Sequence, residues 1–110
     1  MSNQSRKARG MVTQKWVTEW FKARGWPHAE SAGSGRPGVD VLGLPALACE
    51  VKARRDLNLL AWLKQAKAQP GLPFVVHRPD GYGEAKLPDW PVTMRLEDFT
   101  ELLREAGYGG

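Results

Sequence analysis

The chain has 110 residues, of which 42% are hydrophobic and 25% are charged. This composition is close to the average of folded globular proteins and excludes a wholly disordered chain. A chain of this length can bury one small core, so we expect residues 1–110 to form a single domain, with 1–6 and 108–110 as flexible ends.

Several classes of protein are excluded because their sequence signals are missing. The longest apolar run, Val39–Leu44, is interrupted by Asp40, so no segment is long enough to span a membrane. The basic N-terminus is not followed by the apolar segment of a secretory signal. Cys49 is the only cysteine, which leaves neither a disulfide framework nor a Cys/His zinc site. The lone cysteine favours a location in the reducing cytoplasm. The segment GSGRPG lacks the Gly-Lys-Ser/Thr of a nucleotide-binding loop, so we expect no nucleotide cofactor.

The net charge is +4, and most of the positive charge lies in the N-terminal half. Residues 1–56 contain ten Lys and Arg against five Asp and Glu, whereas residues 57–110 contain six against seven. A basic half indicates a polyanionic partner, with nucleic acid favoured over an anionic membrane. The alternative is that this charge only keeps the protein in solution.

The chain begins with a predicted helix over Arg6–Arg24, ended by Gly25. Its apolar residues recur at helical spacing and form one stripe, while Thr18 falls on the opposite face. The stripe consists of Val12, Trp16, Val17, Trp20 and Phe21. Short strands are predicted at Trp26–Ser31, Val39–Leu44 and Leu47–Arg54, and the short connection between the last two favours an antiparallel hairpin.

The second half alternates helices with short strands. Asp56 can cap a helix over Leu57–Gln69, whose predicted apolar face contains Leu59, Leu60, Leu63 and Ala66. Strands follow at Pro73–His77 and Val92–Arg95, separated by a polar loop. A last helix, Leu96–Ala106, is predicted to turn Phe99, Leu102 and Leu103 inward. The order α-β-β-β-α-β-β-α predicts an α/β (α+β) fold with one mixed central sheet flanked by helices.

The chemistry-bearing pattern is Gly38-Val39-Asp40-Val41 followed by Glu50-Val51-Lys52. The two-residue period of a strand places Glu50 and Lys52 on one face, and a hairpin would bring Asp40 beside them. Two carboxylates with a backbone carbonyl suit Mg²⁺, and a lysine can orient water and offset phosphate charge. An isolated Glu-x-Lys is more often an exposed strand face. Asp40 argues for a site, because an unpaired carboxylate inside an apolar strand is costly.

The N-terminal helix together with SAGS, G-V-D-V and C-E-V-K-A-R resembles the PD-(D/E)xK nuclease superfamily, and within it the archaeal-type and phage Holliday junction resolvases. The resemblance covers about Arg6–Asp56. It implies a restriction-endonuclease-like fold in which Asp40, Glu50 and the Val51 carbonyl bind Mg²⁺, with Mn²⁺ able to substitute, and Lys52 is catalytic. It also implies a cytoplasmic, phage-encoded or cellular homodimer that cuts four-way DNA junctions, with Ser31 and Ser34 in a loop near the DNA.

The sequence departs from the family at the first helix, where the family carries a glutamate. Counting back from Gly25 places Gln14 at that position. Gln14 retains an oxygen but lacks the charge, so Glu19 or Glu30 could supply the acid instead. Glu30 is preferred because its strand leads into the SAGS loop.

Basic residues near these motifs are candidates for phosphate contacts, and the alternative for the first three is a solvated tail. They are Arg6, Lys7, Arg9, Arg36, Arg54 and Arg55. A dimer interface is expected in the C-terminal half, where Trp90, Val92, Met94 and Phe99 exceed the needs of one small core.

The sequence therefore predicts a Mg²⁺-dependent endonuclease that resolves four-way junctions. Two alternatives remain. The same site could act on other branched, nicked or duplex DNA, or the chain could be a non-catalytic basic DNA-binding module with a vestigial site.

Overall fold

A computed structural model describes residues 3–33 and 38–110, so Ser34 and Arg36 lie outside the described residues. The described part contains three α-helices, namely α1 (Asn3–Lys22), α2 (Leu59–Lys67) and α3 (Leu96–Glu105). Its strands are β1 (Glu30–Ser31), β2 (Val41–Leu42), β3 (Leu47–Lys52), β4 (Leu72–His77) and β5 (Val92–Thr93). A 3₁₀ helix, Glu84–Asp89, occupies the segment for which the sequence predicted a polar loop.

The strands form two small sheets. β1 pairs with β2 antiparallel, while β4 lies between β3, to which it is parallel, and the antiparallel β5. The predicted mixture of helices with a mixed sheet is confirmed. The single central sheet and the β2–β3 hairpin ladder were wrong, since β2 pairs with β1. Gly43 allows the pairing of β2 with β1. It has φ +76° and lies so close to the segment before β1 that a Cβ would be 2.0 Å from the His28 carbonyl oxygen.

Helix α1 buries a different face from the predicted one. Thr13, Gln14, Val17 and Thr18 are buried, whereas Val12 is 42% exposed. The threonines can be buried because their hydroxyls donate to backbone carbonyls one turn earlier, from Thr13 to Arg9 at 2.7 Å and from Thr18 to Gln14 at 2.8 Å. A polar residue whose hydrogen bond is satisfied within the helix therefore takes a core position.

The main core lies between α1 and one face of the larger sheet. It is built from Val17, Ala29, Val41, Leu44, Cys49, Phe74, Val76 and Trp90. Trp90 is only 6% exposed, and its ring lies 6.3 Å from that of Trp16. Trp90 therefore belongs to the core, which corrects its expected place in a dimer interface. On the other face of the sheet, Trp62 and Ala66 of α2 cover Val75.

The two later helices are less buried than predicted. α2 begins after Asn58 instead of Asp56, and Leu60 is 82% exposed. α3 has no buried residue, and Phe99 and Leu102 are 46% and 40% exposed, so the prediction that they point inward was wrong. β5 contains only two residues and gives α3 little sheet to pack against. Within the described part of the chain, no helix is long and apolar enough to cross a membrane.

Candidate active site

Asp40 is held against the edge of β3 by backbone and side chain together. Its N–H donates to the Cys49 carbonyl at 3.0 Å, and its Oδ2 accepts from the Val51 N–H at 2.7 Å. The chain before β2 therefore lies along β3 over a very short stretch, although no continuous ladder forms there. This contact fixes the Asp40 carboxylate beside the middle of β3.

Glu50 is the most deeply buried charged side chain in the described part of the chain, at 1% exposure. It lies on the sheet face covered by α2, and neither carboxylate oxygen has a hydrogen-bond partner among the described residues. Burial, and after it the negative charge of Asp40, raise the pKa of Glu50 to about 8, with Lys52 acting in the opposite direction. The two carboxyl groups therefore lie close enough for the negative charge of Asp40 to oppose ionisation of Glu50.

Lys52 shares the strand face with Glu50, as the two-residue period predicted. Its Nζ lies 4.0 Å from Glu50 Oε2 and donates to Gln65 Oε1 of α2 at 2.8 Å. The lysine side chain is 18% exposed, so it can still reach solvent or a substrate. Gln65 therefore fixes the ammonium group next to the carboxylate pair.

Gln14 reaches the site from α1 and contacts the backbone of Asp40. Its Nε2 donates to the Asp40 carbonyl oxygen at 2.5 Å, and the same oxygen accepts from the Ala32 N–H at 2.9 Å. A glutamate could not make this contact, because a carboxylate has no hydrogen to donate. Gln14 therefore links α1 to the segment that carries Asp40.

Replacing Gln14 by Glu is expected to destabilise the fold by about 2–3 kcal/mol, because it places a buried charge beside a carbonyl oxygen. Gln14→Met removes the amide without adding charge and should cost only about 1 kcal/mol, since Ala32 still donates to the Asp40 carbonyl. Urea unfolding measures both variants. Equal stability of Gln14→Glu and the parent protein would contradict a stabilising role for the hydrogen bond from Gln14 to the Asp40 carbonyl.

The Val51 carbonyl lies on the same edge of β3 as Asp40. Along a strand, successive residues direct their backbone groups to opposite sides. Cys49 and Val51 bond toward Asp40, whereas the Lys52 carbonyl accepts from Arg78 N on the β4 side at 2.8 Å. The Asp40 carboxylate and the Val51 backbone therefore lie along the same edge of β3, next in sequence to Glu50.

The other candidate acids lie elsewhere. Glu19 and Glu30 are exposed and line a shallow groove between α1 and β1, together with the half-buried Ser31. Among residues 3–33 and 38–110, no group of three or more His, Cys, Asp or Glu is placed to hold a metal ion. Asp40 and Glu50 are thus a pair without a third described carboxylate.

The candidate DNA-contacting residues are spread over the surface. Arg6, Lys7 and Arg54 are exposed, and Arg9 is half-buried on α1. Arg55 is exposed and lies 3.4 Å from Asp80. Arg6 and Lys7 belong to α1, which begins at Asn3.

The sequence patterns did not indicate two residues that lie near the site, Arg78 and Thr13. Arg78 directly follows β4, and its guanidinium donates to Thr13 Oγ1 at 3.0 Å. A usable signal existed, because side chains just beyond the ends of parallel strands commonly form binding sites. The parallel pairing of β3 and β4 was not predicted, however, so that rule could not be applied.

The candidate site therefore contains the carboxylates of Asp40 and Glu50, the ammonium group of Lys52 and, nearby, the guanidinium of Arg78. Burial and the charges of Asp40 and Glu50 raise the pKa of the Cys49 thiol, so the cysteine beside them is unreactive.

Comparisons with models of known protein families, with curated proteins and with solved structures found no match for this chain.

Proposed function

We propose that the protein is a Mg²⁺-dependent endonuclease that hydrolyses phosphodiesters in branched DNA, with the four-way junction as its substrate. The observation that carries the proposal is Glu50, buried to 1% exposure with both carboxylate oxygens unbonded among the described residues and facing Asp40. Such a pair is costly unless a cation or a proton neutralises it. A fold that retains this cost without a binding role would be difficult to explain.

The oxygen donors fit magnesium. Mg²⁺ is usually held by one or two carboxylates, keeps several waters and completes its coordination with substrate phosphates. Asp40, Glu50 and the Val51 carbonyl would hold it, and the absence of a third carboxylate in the described residues is compatible with this cation. When bound, it would lower the pKa of a water ligand and stabilise negative charge on a phosphate.

The neighbouring residues supply the remaining needs of the reaction. Lys52 can orient a water molecule and offset charge that develops on the phosphate. Gln65 accepts a hydrogen bond from its Nζ at 2.8 Å, which keeps the ammonium in place without neutralising it. Gln14 fixes the backbone of Asp40. These contacts limit the movement of the Lys52 ammonium and the Asp40 carboxylate relative to the Glu50 carboxylate.

The choice of substrate rests on the resemblance of SAGS, G-V-D-V and C-E-V-K-A-R to the junction resolvases and on the basic N-terminal half. Resolution needs two cuts, so we propose that the chain acts as a homodimer. Apolar side chains near the C-terminus remain exposed and could supply the contact. They are Val92 (56% exposed), Leu96 (79%), Phe99 (46%) and Leu102 (40%).

A cleavage assay tests the proposal. A four-way junction, a duplex of the same arm sequence and a single strand are each incubated with Mg²⁺, with Mn²⁺ and with EDTA. We expect metal-dependent, paired cuts in the junction. Preferential cutting of the duplex would favour the same chemistry on another substrate. Binding without cleavage under every metal condition would favour the non-catalytic DNA-binding module.

Lys52→Ala is expected to reduce turnover about a hundredfold or more while leaving Mg²⁺ binding intact, because the lysine acts on water and phosphate. Gln65→Leu should reduce turnover less, since the ammonium is retained but is no longer fixed. Single-turnover cleavage and Mg²⁺ titration by calorimetry measure the two effects separately. Cleavage by Lys52→Ala at the parental rate would show that Lys52 has no part in the reaction.

A further inference from the structure

Arg78 is held rigidly in a partly buried position at the end of β4. Its Nε donates to the Tyr82 carbonyl at 2.6 Å and its Nη1 to Thr13 Oγ1 at 3.0 Å. The guanidinium carbon lies 4.8 Å from the centre of the Trp16 ring, in the geometry of a cation–π contact. These contacts leave Nη2 without a described partner, so part of the guanidinium fork remains available.

No carboxylate of the described residues forms an ion pair with Arg78. The ion pairs among the described residues involve Lys52, Arg55 and Arg95, and neither Arg78 nor Arg9 belongs to one. Burial lowers the pKa of Arg78 from its ordinary value, and the positive charge of Arg9 lowers it further. Thr13 lies between these two residues, because its hydroxyl donates to the Arg9 carbonyl at 2.7 Å and accepts from the Arg78 guanidinium at 3.0 Å. Two arginines of like charge therefore lie close together, one on α1 and one at the end of β4.

This cationic pair is connected directly to the carboxylate site. Thr13 contacts Arg78, and the next residue, Gln14, contacts the Asp40 carbonyl. The Arg78 N–H also donates to the carbonyl of Lys52 at 2.8 Å. The pair thus lies at the carboxyl ends of the parallel strands β3 and β4, next to the residues proposed to carry out hydrolysis.

We propose that Arg78 and Arg9 bind one backbone phosphate of the DNA strand that enters the Asp40–Glu50 site. A planar guanidinium presents paired N–H donors that match phosphate oxygens, and pre-positioning reduces the ordering required on binding. The anion would also relieve the repulsion between the two arginines. This inference rests on the proposed function for the identity of its ligand, a phosphodiester of DNA.

The test measures junction binding in the Asp40→Asn background, so that cleavage does not intervene. Arg9→Gln, Arg78→Gln and Arg78→Lys are compared with Arg104→Gln, which removes the same charge from an exposed position on α3. Each neutralised phosphate contributes about 0.9 to the slope of log K against log salt. We expect Arg9→Gln and Arg78→Gln each to weaken binding roughly five- to tenfold at about 0.1 M salt and to make the slope shallower by up to about one. Arg78→Lys should retain the slope but lose part of the affinity, and Arg104→Gln should resemble the parent.

Thermal unfolding separates a binding role from a structural one. Arg9→Gln removes a repulsive charge, so it should leave the melting temperature unchanged or raise it while DNA affinity falls. Unchanged affinity and slope in both Arg9→Gln and Arg78→Gln would overturn the phosphate site, even in a protein that cuts DNA. Failure of the proposed function would differ, because the parent chain would not cleave although these arginines still determined the salt slope.

Discussion

Asp40→Asn is expected to reduce metal-dependent DNA cleavage by about a hundredfold to a thousandfold, the loss typical of removing one group that stabilises charge in a reaction. The substitution removes one of the two carboxylates that, among the described residues, we propose to hold the cation. It leaves an oxygen that can still accept from the Val51 N–H, a bond of 2.7 Å in the parent. The variant should therefore fold normally, and its circular dichroism spectrum and urea midpoint should be unchanged or improved.

DNA binding by Asp40→Asn provides the internal control. Removing a negative charge near the phosphate path should leave junction affinity unchanged or increase it. Loss of cleavage with retained affinity assigns Asp40 to the reaction. Cleavage at the parental rate would refute the assignment of Asp40 as a ligand, and loss of both affinity and fold would show that it acts through structure.

The metal-free protein is expected to lose stability as the pH rises from about 4.5 to about 8. The pKa of Glu50 is raised to about 8 in the folded chain from 4.5, so the folded state binds more protons than the unfolded state within this window. Stability must then fall with increasing pH, and the penalty is complete only above the folded pKa. Its size should be on the order of a few kcal/mol. Unfolding in urea at several pH values, with EDTA present, measures it.

Glu50→Gln isolates this effect, because the amide has a similar shape and no charge. The variant should be more stable than the parent at pH 8 without metal, and it should lose most of the pH dependence. Exposed Glu105→Gln serves as the matched control and should follow the parent. Adding Mg²⁺ at pH 8 should raise the melting temperature of the parent but not of Glu50→Gln, since a ligand stabilises only the state that binds it. A parent protein whose stability is flat between pH 5 and pH 8 would contradict the strained carboxylate pair.

The local part of the site could be predicted because it follows from strand periodicity. Glu50 and Lys52 share a face, and Asp40 lies beside them, as the sequence indicates. The burial of Glu50 could not be predicted in the same way. It depends on α2 covering that face, which follows from the parallel pairing of β3 and β4. Because the short connection before β3 favours a hairpin, the parallel pairing was not predicted, although the succession of β3, α2 and β4 is the usual connection of two parallel strands.

The burial of Thr18 and the exposure of α3 could not be predicted from helical periodicity either. Thr18 is polar, and its place opposite the apolar stripe predicted exposure, yet its hydroxyl is satisfied within the helix and the residue is buried. α3 has a strongly amphipathic sequence, yet its apolar residues remain partly exposed. Periodicity predicts the helix and its apolar face, but it does not identify which part of the protein covers that face. The position of Gln14 was predicted from the resemblance, but its contact with the Asp40 carbonyl required the fold.

The parallel pairing of β3 and β4 also places much of the site within one continuous segment of the chain. Glu50, Lys52 and Gln65 all belong to the continuous segment 47–77, whereas Gln14 and Asp40 come from outside it. Contacts close in sequence form at a lower entropic cost, so this segment can fold before α1 and the first two strands dock on it. Undocking of α1 together with the first two strands would carry Asp40 away from Glu50 while β3, α2 and β4 stay intact. In hydrogen exchange, the amides of α1 should therefore open before those of β4, and a bound cation should slow that opening by joining the two parts of the chain.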